Sequence, residues 1–146
     1  SQVPLVMLSH VVYEDIDPDN PLPLSLKGME RVREELGENL LFISDDLASK
    51  SLMAHYSLGD IGRTALSAGV DILLVGGYPN AALVGQFYSA VKSELAQEQP
   101  QYEAASMGGL YEILSNAIEE DNGLRAHVEK SADKIIKLKW KTFGLQ

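Results

Sequence analysis

The chain has 146 residues, 45% of them hydrophobic, a formal charge of −9 and no cysteine. That length suits one domain with a real core and is short for a complete eight-stranded α/β barrel, which takes about 250 residues. The acidity leaves no basic stripe to displace counterions from phosphates, which argues against nucleic acid, and the missing cysteines exclude a disulfide framework, a thiolate zinc site and a thiol nucleophile.

The chain starts at Ser1, with no initiator methionine and no signal peptide, and enters an apolar run almost at once, so an upstream part is expected to precede it. Residues 3–9, "VPLVMLS", show no alternation and are predicted to be a strand buried on both faces. A polar loop, "HVVYEDIDPDNPLP", follows with three prolines and four acidic residues. Ser25 is placed to cap a helix over 26–36, where Leu26, Met29, Val32 and Leu36 recur at helical spacing and Gly37 supplies the stop. A second buried strand is expected at 40–44. Residues 47–58 read as a loop with room for a helical turn, and Asp60 opens a helix that runs to Ala68 and ends at Gly69. "VDILLVGG" at 70–77 is the third predicted strand. Strand, helix, strand, helix, strand implies parallel strands joined by right-handed crossovers.

The remainder reads as helices over 81–98, 102–119 and 124–143, with a stop at Pro100 and a turn at Asn122-Gly123. No internal repeat, low-complexity tract or linker interrupts them. The cluster "KIIKLKWK" at 134–141 has the makings of a membrane or nucleic-acid contact, but a helix packing its apolar side with its lysines outside is the better reading. No run approaches the roughly 18 apolar residues of a membrane span.

Parallel α/β folds build their sites from the loops leaving the strand C-terminal ends. Three such ends are legible: Ser9-His10, Ser44-Asp45-Asp46 and Gly76-Gly77-Tyr78. Each has an ordinary reading as well: a satisfied loop histidine, an Asp pair that opens a turn or caps a helix, and a glycine turn. Side chains alternate along a strand, so Asp45 and Asp46 point opposite ways. Asp45, Asp46 and His10 could in principle hold a metal, but His55 and His127 lie in segments without metal-ligand spacing, and no metal is expected. No dinucleotide fingerprint, phosphate loop or Gly-x-Ser-x-Gly elbow occurs.

The stretches "VMLSHVVYEDIDPDNPLPLS", "VREELG", "LFISDDL", "ALSAGVDILLV" and "VEKSADKIIKLKWKTFGL", in this order, resemble the second part of the catalytic barrel of glycoside hydrolase family 3, of the β-N-acetylhexosaminidase and β-glucosidase type. The resemblance implies an α/β fold: the C-terminal portion of a (β/α)8 TIM barrel, its last three βα units plus closing helices, with residues 1–146 forming one partial catalytic domain. It also implies hydrolysis of terminal β-linked sugars, most of all β-N-acetylglucosamine, with Asp45 as catalytic nucleophile and His10 at the sugar-binding mouth. Retaining glycosidases need an attacking carboxylate and a second group about 5–5.5 Å away that protonates the leaving oxygen. Attack needs the ionised carboxylate, which calls for hydrogen-bond donors around Asp45. Asp46, on the other side, is then expected to support the loop.

The family's His–Asp acid/base loop and Lys–His sugar clamp lie upstream, and neither motif occurs within this chain. "ENLLFISDD" stands where relatives have a Phe-Asp-Gly lead-in, and "LASKSL" where a Met often follows the Asp pair; both departures bear on sugar preference. No cofactor is implied. The expected partners are the carbohydrate substrate and either the missing N-terminal part of the barrel or a second copy of the chain. Family members occur in the cytoplasm and as exported lipoproteins, so the compartment stays open. The alternative reading is a noncatalytic carbohydrate-binding or scaffold protein that kept the barrel fold.

Overall fold

The computed structural model describes residues 5–76 and 107–144. Two strands, β1 (Leu5–Leu8) and β2 (Leu41–Ser44), pair in parallel, with Leu5 opposite Leu41 and Leu8 opposite Ser44. The crossover between them carries a 3-10 turn at Leu22–Leu24 and helix α1 (Leu26–Leu36). Ser25 caps α1 by accepting from the Gly28 N–H at 2.9 Å, and the helix ends at Gly37, which sits at φ 103°. The short α2 (Lys50–Met53) is the helical turn within the 47–58 loop.

Helix α3 (Leu58–Ala68) begins earlier than Asp60, because Ser57 takes the cap. Its hydroxyl accepts from the Asp60 N–H and donates to the Asp60 carboxylate, which places Asp60 in the first turn where the helix dipole favours an anion. Helices α4 (Met107–Glu120) and α5 (Asn122–Phe143) follow. The expected turn at Asn122-Gly123 is instead the single residue Asp121. Its carboxylate accepts from the N–H groups of Gly123 and Leu124, so both expected turn residues become the first turn of α5. The expected helix at 81–98, its stop at Pro100 and residues 102–106 lie outside the described residues.

The third expected strand is only partly a ladder. Ile72 bridges Ile43 in parallel, and the Ser44 and Leu47 N–H groups donate to the Ile72 and Leu74 carbonyls. The ladder stops there because the Leu74 N–H donates to the Ser44 hydroxyl at 2.9 Å rather than to a main-chain carbonyl. The segment therefore runs beside β2 as a pinned, extended chain, and β2 is central.

Alternation decides what each face of this layer meets. Val6, Leu8 and Phe42 face the helices and join a core with Met29, Leu47, Leu58, Ile61, Ala65 and Leu110. Phe42 and Met29 are completely buried. Leu5, Met7, Leu41 and Ile43 lie on the other face by strand periodicity. There Leu5 is 37% and Met7 58% exposed, which corrects the expectation of a first strand buried on both sides. Helix α4 closes onto α3 where α3 carries glycine. A Cβ on Gly59 would lie 2.9 Å from the Ile113 side chain.

At the opposite end of β2 from its loop, α5 is tied to the layer through Asp71, whose side chain is fully buried. Asp71 Oδ2 accepts from Arg33 at 3.0 Å and from the Phe42 N–H at 2.9 Å. Its Oδ1 accepts from Ser131 at 2.6 Å and from Lys134 at 3.3 Å. The Arg33 guanidinium also stacks over the Phe42 ring, 4.7 Å from its centre, and His127 Nε2 donates to the Val70 carbonyl at 3.0 Å. Burial pushes the Asp71 carboxyl up, but the Ser131 and Phe42 hydrogen bonds and the two cations more than offset it, and the net shift is downward. Burial pulls the Lys134 ammonium below its ordinary value, against the attraction of Asp71. The lysine cluster of α5 is thus not wholly outside: Lys134 turns in to Asp71, while Trp140 is left 57% exposed.

Candidate active site

The C-terminal ends of β1, β2 and the third segment lie side by side. The parallel pairing continues one step past β2, where the Asp45 N–H donates to the Leu8 carbonyl at 2.9 Å. Asp45 is therefore level with the end of β1, two residues before His10.

The two aspartates separate as strand alternation requires. Asp45 continues the row of Leu41 and Ile43 and is exposed, whereas Asp46 continues the row of Phe42 and Ser44 and is half-buried. Asp45 Oδ1 accepts from the Asp46 main-chain N–H at 2.8 Å. Asp46 Oδ1 accepts from the Ala48 N–H at 2.9 Å and from the Gly76 N–H at 2.7 Å. The Asp46 carboxylate thus joins the loop after β2 to the end of the third segment. The ordinary reading of an Asp pair, a turn residue serving its own loop, describes the Ala48 bond and misses the Gly76 one.

His10 is half-buried, and its Nδ1 lies 3.3 Å from the Ser49 hydroxyl. Ser49 belongs to the loop of the aspartates, since its N–H donates to the Asp46 carbonyl at 3.0 Å. His10 Nε2 is sealed from solvent with no hydrogen-bond partner among the described residues. A buried ring nitrogen in that state costs free energy unless something engages it. Loop 9–21, which carries His10, is pinned at its far end. Asp17 accepts from the Ser25 hydroxyl at 2.7 Å and from Asn20, and the Ser25 bond is the main reason its carboxyl is held below the ordinary value. One side chain, Ser25, therefore caps α1 and anchors this loop.

The structure brings His10, Asp45, Asp46 and Gly76 to one end of the layer; Gly77 and Tyr78 lie outside the described residues. Sequence reasoning passed over Ser49 and Asp71 and named Ser44 only as part of a strand end. Ser49 had no signal, being an unremarkable serine in a short loop. Asp71 did have one: a carboxylate inside the apolar run "VDILLV" has to be paired. Among the described residues no three His, Asp or Glu side chains converge as metal ligands, and no helix is long and apolar enough to cross a membrane.

A parallel α/β layer with polar side chains gathered at its strand C-terminal ends is the arrangement of a parallel α/β fold, closed barrel or open sheet alike. The chain belongs to glycosyl hydrolase family 3: residues 1–137 match the Glycosyl hydrolase family 3 N terminal domain. It is 30% identical over 115 residues to a β-hexosaminidase of Nitrosomonas eutropha, an overlap that covers 74% of this chain and 33% of that protein. It is 33% identical over 124 residues to a β-hexosaminidase of Shewanella frigidimarina, covering 83% and 34% respectively. The crystal structure of β-N-acetylhexosaminidase from Beutenbergia cavernae superposes with a TM-score of 0.67 at 23% identity, over 93% of this chain and 33% of that one. That likeness speaks for the fold. The chain spans about a third of the length of the curated relatives it matches.

Proposed function

We propose that residues 1–146 are a partial family 3 catalytic domain, the last three βα units and closing helices of a (β/α)8 barrel. The protein hydrolyses terminal β-linked sugars, foremost β-N-acetylglucosamine, with retention of configuration. A carboxylate oxygen of Asp45 attacks the anomeric carbon as the glycosidic C–O bond breaks, and the leaving oxygen takes a proton from a general acid carried outside this chain. The same group, now a base, takes a proton from water. The water oxygen attacks the anomeric carbon, the bond to Asp45 breaks, and the sugar departs with its original configuration. His10 binds the sugar, Asp46 supports the loop, and no cofactor takes part.

One observation carries this reading: Asp45 is the exposed carboxylate at the C-terminal end of the central strand, on the face of Leu41 and Ile43, with a main-chain N–H held on its Oδ1. In a barrel that face is the interior, and its strand ends are where chemistry is done. The exposure of Leu5 and Met7 supports the same placement, because the remaining strands of a barrel would cover them. The names of the relatives favour an N-acetylhexosamine at the reacting sugar.

The test uses the full-length protein and an aryl β-N-acetylglucosaminide. Wild type releases the β-anomer first, followed by proton NMR, and Asp45→Asn loses turnover with its fold intact. Initial release of the α-anomer, or an active Asp45→Asn, contradicts the proposal.

A further inference from the structure

We propose that Gly76 is a positioning residue for Asp45 and acts through the Asp46 carboxylate; this rests on Asp45 being the nucleophile. The chain of contacts is short. The Gly76 N–H donates to Asp46 Oδ1 at 2.7 Å, the Ala48 N–H donates to the same oxygen at 2.9 Å, and the Asp46 N–H donates to Asp45 Oδ1 at 2.8 Å. The third segment thereby fixes the Asp46 side chain. The Asp46 side chain in turn fixes the orientation of the peptide that holds the Asp45 carboxylate.

Glycine at 76 is not required by its backbone. Among the described residues the glycines at positive φ are Gly37, Gly69 and Gly144, and Gly76 is not one of them. What it lacks is room. A Cβ at 76 would stand 2.7 Å from Asp46 Cγ and 2.9 Å from Oδ1, closer than real Cβ atoms come to a neighbour. All three of its nearest atoms belong to that one carboxylate. These are the end of a mobile side chain, not backbone, so an alanine is accommodated by swinging Asp46 aside. The third segment keeps its other ties, from Leu47 to Leu74 and from Leu74 to Ser44. The damage therefore passes to the loop of the nucleophile and spares the core.

A double-mutant cycle in the full-length protein tests this, with Gly76→Ala, Asp46→Ala and the pair together. The readouts are kcat, the single-turnover rate at which an activated fluorosugar labels the enzyme, the affinity for N-acetylglucosamine and the melting temperature. Displacing an attacking group by about 1 Å costs on the order of 10²-fold. Gly76→Ala is expected to lose roughly 10- to 100-fold in kcat and labelling rate, with the sugar affinity kept within about twofold and the melting temperature within about 5 °C. The double variant should then be no slower than Asp46→Ala alone. If Gly76→Ala fails to fold, the double variant, which removes the collision, is expected to fold and to match Asp46→Ala. Wild-type labelling in Gly76→Ala, losses that multiply in the pair, or a double variant that is itself unfolded overturns the inference. Failure of the nucleophile reading is distinct: in that case Asp45 of the wild-type protein carries no label.

Discussion

Asp71→Asn removes one negative charge from a fully buried side chain that accepts four hydrogen bonds, and changes its shape hardly at all. The carboxylate accepts from Ser131 and Lys134 on one oxygen and from Arg33 and the Phe42 N–H on the other. Whichever way an amide is turned, its NH2 faces two donors and those two bonds are lost. Two cations also lose their counter-charge, and breaking a buried pair from one side costs about 3–5 kcal/mol. The Arg33 and Lys134 side chains are 12% and 13% exposed, so both have some access to water, and the lower figure, about 3 kcal/mol, applies. At about 2–4 °C per kcal/mol for a domain of 150–250 residues, the melting temperature falls by roughly 6–12 °C.

The pH dependence has a fixed sign. The Asp71 carboxyl is held below 3.8 in the folded protein, so the unfolded chain binds the proton first on acidification. Its stabilisation is complete above that value and is lost as pH falls through the lower folded one. The gap between wild type and Asp71→Asn, read by circular dichroism on heating, should be wide at neutral pH and narrow as the pH falls below 3.8. A neutral-pH difference below about 2 °C, or a gap that widens in acid, refutes the account of this cluster.

Residues 1–146 expressed alone should show no glycosidase turnover, because the proposed mechanism takes its general acid from outside these residues, and losing that group costs about 10²–10⁴-fold by itself; robust hydrolysis by that chain would contradict the partial-barrel reading. The same chain, with Leu5 and Met7 exposed on one face of the layer, should self-associate in light scattering unless the rest of the barrel is supplied, and a stable monomer at high concentration would count against it. Ser25→Ala removes the α1 cap and the hydrogen bond to Asp17, which should cost about 1–2 kcal/mol in urea unfolding and loosen the His10 loop to hydrogen exchange; unchanged exchange at residues 11–22 would show that Ser25 does not anchor it.

What could be read in the chain was what is decided locally. Helix α1 runs from Leu26 to Leu36 as its cap, apolar spacing and terminal glycine indicate, because Ser25 and Gly37 act within a turn of the residues they control. The divergence of Asp45 and Asp46 follows from strand alternation alone. The rest depends on contacts between distant segments. The third strand loses its ladder because a hydroxyl 30 residues away takes the Leu74 N–H. Lys134 turns inward because Asp71, 63 residues earlier, is a buried carboxylate that needs a counter-charge. The turn at Asn122-Gly123 was misplaced for a local reason, since Asp121 caps better than Asn-Gly turns when a long helix follows. Gly76 was legible as a strand end and not as the seat of Asp46, because no pattern along the chain records which side chain fills the space that a glycine leaves.

The central claim is that Asp45 is the attacking carboxylate, and trapping the intermediate tests it most directly. The full-length wild-type protein is treated with a mechanism-based fluorosugar, digested, and the labelled peptide sequenced by mass spectrometry. The account predicts one sugar per molecule, bonded to Asp45 in the peptide containing "FISDDL", and no label in Asp45→Asn. Asp46→Asn should still be labelled, more slowly, since its carboxylate holds the loop through bonds worth about 1 kcal/mol each. A sugar found on Asp46 or on any other carboxylate, or turnover retained in Asp45→Asn, would contradict it.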